Sequence, residues 1–230
     1  MPDYKDRSSA QEALVRLYLR LNGFFTTGFI IHSDEHGKNV AEIDALAVRL
    51  PYHNELDREI ESSQFLGPTS GITDLLICEV KSKGQSLQFN ERFRNSLRAI
   101  CTVLRWSGLF KESEVNDLAP LLQIGIMPKN QPKDCLFTLP GPRDIRIRPM
   151  LCSPERQDKR NNQTWFLHGN EIFSYIWNCL CPDNQRGSCA TQYDFTSWGK
   201  ELTPIIKYFK DRRDIGNPGN ISDLYISLNL

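Results

Sequence analysis

Apolar residues recur at helical spacing near the start of the chain. Ala10, Leu14, Leu17, Tyr18 and Leu21 form one stripe, and Asn22-Gly23 closes it with a pair that ends helices. Ser9 and Glu12 have the spacing of a capping box at the other end. Glu12 lies off the stripe, on a flank shared with Val15 and Leu19. Two roles are open to it: a local one with Ser9 and Arg16, and a place at the edge of a cleft where that flank meets a sheet.

The period then shortens. Residues 24–33 are rich in aromatic and β-branched side chains and predict a strand, DEHGKN at 34–39 predicts a turn, and VAEIDALAVRL at 40–50 predicts the returning strand of a hairpin. Strict alternation along this second strand puts Glu42, Asp44, Leu46 and Val48 on one face and Ile43, Ala45 and Ala47 on the other. Asp44 is conspicuous because a carboxylate inside an apolar run needs partners. Residues 51–71 hold no sustained period beyond a single helical turn over 54–62, and read as an insertion or a lid.

The chain is organised around ITDLLICEVKS at 72–82. Four consecutive apolar residues, Leu75 to Cys78, predict a buried strand. Alternation then sets Leu75, Ile77, Glu79 and Lys81 on one face, so an acid and a lysine project together from the end of a core strand. Such groups pair with each other or hold a metal ion.

Further on, Phe89, Phe93, Leu97, Ile100 and Leu104 predict the core face of a helix over 87–109. Arg94, Arg98 and Arg105 fall on an adjacent strip that suits either a solvated face or contact with phosphates. Strands are expected at 121–127, at 144–152 as a half-exposed or edge strand, and briefly at 164–167. A proline-rich loop spans 129–143. Helices are expected at 170–181 and 195–214, and the tail after Gly216 is rich in turn residues.

Composition narrows the class. The 230 residues carry 28 basic and 28 acidic side chains, a balance that argues against coating polyanions but permits one basic groove. No apolar run approaches the ~20 residues that span a bilayer, and the N-terminus does not read as a secretory signal, so a cytoplasmic setting is expected. The seven cysteines, an odd number, suggest reduced thiols. Cys179, Cys181 and Cys189 lack the paired spacing of structural zinc sites. His32, Asp34, Glu35 and His36 fit a polar turn better than a metal site.

The order of features is then a helix bearing Glu12, a hairpin bearing Asp44, and a strand ending in Glu79 and Lys81. Residues 8–128 resemble the core of the PD-(D/E)XK nuclease superfamily, particularly the branch of Holliday junction resolvase-like enzymes. The resemblance rests on SAQEALVRLYLRLNGFF, EIDALAV and LICEVK. Ile43 stands where the family name has proline, and the link from Asp44 to Glu79 is longer than in compact members.

The resemblance implies an α/β fold: a restriction endonuclease-like core over 1–152, with a central mixed β-sheet flanked by helices and an insertion at about 51–71. Residues 153–230 would be a C-terminal helical extension packed on that core and a place for a protein partner. It also implies a Mg²⁺- or Mn²⁺-dependent endonuclease acting on DNA. Asp44 and Glu79, with the carbonyl of Val80, would hold the ion through hard oxygen ligands. Lys81 would assist the attacking water, and Glu12 would complete the metal shell. Arg94, Arg98 and Arg105 would hold the DNA backbone, and cutting both strands of a duplex would suit a homodimer. A catalytically silent module of the same fold, binding nucleic acid or a protein, is the alternative.

Overall fold

The computed structural model describes residues 6–32, 39–55, 60–133, 135–157, 164–182 and 198–230. The first helix, α1 (Arg7–Leu21), starts earlier than the sequence pattern suggests. Asp6 is its N-cap, accepting hydrogen bonds from the Ser9 amide at 3.0 Å and the Ser9 hydroxyl at 3.2 Å. Ser9 and Glu12 therefore form no capping box, because an aspartate upstream satisfies the first-turn donor. The predicted stop holds: Gly23 adopts φ +82°, which glycine reaches without a Cβ clash, and its amide donates to the Arg20 carbonyl.

The sheet begins with an antiparallel meander of β1 (Phe25–His32), β2 (Asn39–Arg49) and β3 (Thr73–Val80). The crossover out of β3 carries α2 (Glu91–Arg94), α3 (Leu97–Trp106) and α4 (Glu112–Ile126). After β4 (Leu139–Pro140), β5 (Ile145–Ser153) returns parallel to β3, and β6 (Leu167–His168) adds parallel to β5. The strand order is β1-β2-β3-β5-β4, with β6 also beside β5, so the sheet is mixed.

Helices cover both faces, and alternation within the strands assigns each face its own core. Leu75 and Ile77 of β3 join Phe93, Ile100, Val103, Leu104, Val115 and Leu122 from α2–α4. Leu76 and Cys78, pointing the other way, join α1 together with α5 (Gly169–Leu180), α6 (Gly199–Asp211) and α7 (Ile221–Leu228). The segment after residue 152 thus shares its apolar core with the first helix. Among the described residues no helix is long and apolar enough to cross a membrane.

Several elements differ from the sequence reading. The run at 121–127 is the end of helix α4 and not a strand: Leu118, Ala119, Leu122 and Ile126 are buried while Leu121 and Ile124 are exposed, a 3.6-residue period that the run's five apolar residues obscure. The single helix expected over 87–109 is broken at Asn95-Ser96. Ser96 N-caps α3 by accepting from the Ala99 amide at 3.1 Å, and Leu97 ends up half exposed.

Strand β5 lies inside the sheet and not at an edge. Its Arg148 is only 3% exposed because Asp74 on β3 takes its guanidinium, with Nε to Oδ1 at 2.9 Å, and also takes Arg146 at 2.6 Å. Pro149 falls between the stretch paired to β4 and the stretch paired to β6, where the missing N–H breaks no ladder on that side.

The connection at 51–71 is anchored. The Ser63 amide donates to Asn22 Oδ1 at 2.8 Å, Leu66 is buried, and Arg148 and Arg146 donate to the Leu66 and Gly67 carbonyls. Its described residues at 54–55 and 60–62 form no helical turn. The tail after Gly216, rich in turn residues, holds α7, N-capped by Asn220, whose side chain accepts from the Ser222 and Asp223 amides.

Cys78, Cys101, Cys135, Cys152, Cys179 and Cys181 are free thiols. Burial pushes the Cys152 thiol well up, with Cys78 beside it adding to the rise, so this pair is unreactive core. Cys189, and Asp34, Glu35 and His36 of the turn considered for metal, lie outside the described residues.

Candidate active site

The carboxylates meet because β2 is irregular. Thr27 pairs with Leu46, but Phe29 pairs with Ile43, so two steps along β1 match three along β2. Asp44 and Ala45 together oppose Gly28. This is a β-bulge, which adds one residue and changes the phase of the strand. Ile43 consequently packs in the same core as Leu46, on the α3–α4 face. Strict alternation had placed them on opposite faces. Glu42 and Asp44, on either side of Ile43, both lie within electrostatic reach of α1: Glu42 raises the proton affinity of Glu12, and Glu12 raises that of Asp44. Gly28 leaves the bulge uncrowded, since a Cβ there would lie 3.8 Å from the Asp44 carbonyl oxygen.

The last pair between β2 and β3 is Ala45 with Cys78. Beyond it the Asp44 side chain takes over, and its Oδ2 accepts the Val80 N–H at 2.6 Å. On the other side of the strand end, the Lys81 N–H donates to the Cys152 carbonyl at 2.8 Å and the Ser153 hydroxyl donates to the Lys81 carbonyl at 2.6 Å. The backbone of Glu79, Val80 and Lys81 is therefore held from both neighbouring strands.

Lys81 Nζ and Glu79 Oε1 are 2.6 Å apart, with side-chain exposures of 14% and 6%. Glu79 Oε2 is buried with no hydrogen-bond partner. Burial raises the Glu79 carboxyl above its ordinary range; Lys81 and the Asn90 backbone amide oppose the rise, and Glu42 adds to it. Burial likewise pushes Asp44 up to about 7, with the Val80 amide opposing and Glu79 and Glu12 reinforcing. Glu12, half buried, is also raised by burial. Its neighbour Arg16 opposes that rise and also makes an ion pair with Glu201 of α6.

The structure thus brings Glu12, Asp44, Glu79 and Lys81 into one electrostatic neighbourhood at the end of β3. Several carboxylates share too little charge compensation there, an arrangement typical of functional sites. Among the described residues, no three His, Cys, Asp or Glu side chains converge closely enough to form a ready metal cage.

The three arginines lie on two helices. Arg94 belongs to the short α2 and donates from Nε to the Phe89 carbonyl at 2.7 Å, whereas Arg98 and Arg105 share α3, where Arg105 is paired with Glu112. Sequence reasoning passed over Glu42, although it sits two residues before Asp44. It also missed Gln11, whose Nε2 donates to the Ser82 hydroxyl at 3.1 Å. Gln11 is buried beside Glu12 on the helix, and nothing in its apolar neighbours marks it in sequence.

Among the described residues two cavities stand out. The larger, about 670 Å³, lies between residues 60–64 and α5, with Glu61 and Glu171 in its wall. The smaller, about 490 Å³, has Lys83 in its wall, two residues after Lys81.

A scan against protein-family models finds no match to this chain, and searches of curated proteins and of solved structures find none either.

Proposed function

We propose that this protein is a metal-dependent nuclease of restriction endonuclease-like fold that hydrolyses DNA phosphodiester bonds. One observation carries the reading: the bulge in β2 sets the Asp44 carboxylate onto the Val80 amide, beside the buried Glu79–Lys81 pair. Burying three charged side chains at a strand end costs stability, and a structural role needs only one ion pair.

The residues present suit a hard divalent cation. Glu79 Oε2 is a buried acceptor without a donor, and burial raises Asp44, Glu79 and Glu12 together. Both features call for positive charge at this spot. Asp44 and Glu79 would hold Mg²⁺ or Mn²⁺, with the Val80 carbonyl and Glu12 as further oxygen donors. Such an ion polarises a phosphoryl oxygen and acidifies bound water.

The chain's own contributions are positional. The Val80 amide orients the Asp44 carboxylate. Lys81, held by Glu79, presents an ammonium for the attacking water and for charge developing on the phosphate. Glu12 on α1 closes the acidic side.

A second reading, a silent module of the same fold that binds nucleic acid or a protein, is favoured by the lack of three converging ligands among the described residues. One experiment separates the two. Linear, supercoiled, branched and single-stranded DNA are incubated with Mg²⁺ or Mn²⁺ and wild-type or Lys81→Ala protein. Cleavage that disappears with EDTA and in the variant supports the enzyme. DNA binding without cleavage of any substrate supports the module.

A further inference from the structure

We infer that the cavity between Lys83 and α7 seats the nucleic-acid strand flanking the cleaved phosphate. The inference rests on the nuclease reading and gives the substrate a path, which that reading leaves open.

Position comes first. The chain leaves β3 through Lys81, Ser82 and Lys83, and two residues span at most about 7 Å. That is roughly two nucleotides of axial rise along a strand. The exit is rigidly held: the Lys83 amide donates to Glu155 Oε2 at 2.7 Å, and the Arg156 guanidinium donates to the Lys83 carbonyl at 3.0 Å and the Gln85 carbonyl at 2.7 Å. The Ser82 amide donates to Gln85 Oε1 at 3.0 Å.

Charge comes second. Arg16, Arg105, Arg143, Arg146, Arg148 and Arg212 each contact a carboxylate. Arg7 and Lys83, both in the cavity wall, make no ion pair among the described residues. Arg7 is set in place by Tyr225, over whose ring its guanidinium lies at 4.9 Å. Glu155, a carboxylate in the wall, accepts from the Lys83 amide and, at 2.9 Å, from the Tyr225 hydroxyl, and Arg7 also donates to the Leu230 carbonyl oxygen at 3.5 Å.

Two cations that make no ion pair among the described residues, beside a site proposed for phosphodiester chemistry, match a sugar-phosphate backbone. Gln157 and Ser222 add hydrogen-bonding groups, and Ile226, 75% exposed, adds an apolar rim for sugar and base. The wall comes largely from the segment after residue 152, so that segment takes part in holding substrate.

The test is fluorescence anisotropy with labelled single-stranded and duplex oligonucleotides in EDTA, where binding needs no turnover. The proteins are wild type, Arg7→Ala/Lys83→Ala, Lys83→Gln as a mild variant, and Lys207→Ala as an exposed control. Thermal melts verify folding. The double variant should bind about tenfold more weakly or worse, Lys83→Gln partway, and the control as wild type. The salt dependence of log K should flatten by about 1 to 2, as expected for two lost phosphate contacts.

Unchanged affinity and salt slope in the double variant would overturn the inference, and so would a wild type that binds no oligonucleotide. Inorganic phosphate that binds through Arg7 and Lys83 while oligonucleotides do not would make this a small-anion site and also overturn it. Cleavage is scored separately with Asp44→Asn. Cleavage by a double variant of undiminished affinity rejects the seat and keeps the nuclease, whereas seat-dependent binding without cleavage does the reverse.

Discussion

The Asp44 carboxylate accepts the backbone N–H of Val80, the residue between Glu79 and Lys81, at 2.6 Å. A side chain on one strand thereby occupies the place where a ladder hydrogen bond would continue, and the bulge that positions it faces α1 and Glu12. This contact ties the geometry of three catalytic candidates to one backbone amide.

Its first consequence is pH dependence without metal. Burial raises Asp44 from 3.8 to about 7, so its contribution to stability is fully present below about pH 4 and is lost as pH rises through 7. The shift corresponds to at most about 4 kcal/mol. Asp44→Asn keeps an acceptor for Val80 and removes the charge. In EDTA the wild-type melting temperature should fall between pH 5 and pH 8, and the variant should show a clearly smaller fall. Mg²⁺ or Mn²⁺ should raise the wild type at pH 8 and leave the variant unmoved. Calorimetric melts across this range check both expectations, and equal pH profiles would count against the assignment.

Lys81→Ala removes the partner of an almost fully buried glutamate. Cleavage should drop by about 10²- to 10⁴-fold, the usual contribution of a positioned proton-transfer or charge-stabilising group. Stability should fall as well, because Glu79 is left unpaired. Adding Glu79→Gln to the variant should restore the melting temperature without restoring activity. Single-turnover cleavage and melts on the three proteins separate the two effects.

At the other end of β3, Asp74 neutralises Arg146 and Arg148. Asp74→Ala leaves two guanidinium groups uncompensated, one of them with its charge already disfavoured by burial. Urea unfolding should show a loss of about 3 to 5 kcal/mol. Oligonucleotide affinity of the folded fraction should stay at the wild-type value, since this cluster is structural.

The helical state of the 121–127 run has its own test. A Cβ at Gly125 would lie 2.2 Å from the Phe137 ring, so the chain after α4 closes directly over this glycine. Gly125→Ala gains helix propensity but overpacks the contact. A net loss of about 1 to 3 kcal/mol is expected from denaturant melts. A stabilised variant would show that the ring yields freely.

The site was legible in sequence to the extent that its residues break a local pattern. Asp44 interrupts an apolar strand, and Glu79 with Lys81 ends one. What could not be read was phase: the two-for-three match at Gly28 depends on the partner strand, so alternation alone turned Ile43 the wrong way. The edge reading of β5 failed for a related reason. Arg146 and Arg148 look solvated until Asp74, seventy residues away, is known to face them. The strand expected at 121–127 erred on period, where five apolar residues in seven suit either form. Asp6 displaced the Ser9 cap because any of several polar residues can close a first turn.

The core beneath the sheet has a temporal consequence. Leu14 and Tyr18 of α1 share a cluster with Leu202, Ile206, Phe209 and Leu224, and Arg16 reaches Glu201. These are among the most sequence-distant contacts a chain of this length can make, and such contacts form late. During synthesis α1 emerges early, and Glu201, the partner of Arg16, follows 185 residues later. Until α6 and α7 have been made, the Leu14 and Tyr18 side of α1, the helix that carries Glu12, has only part of its packing.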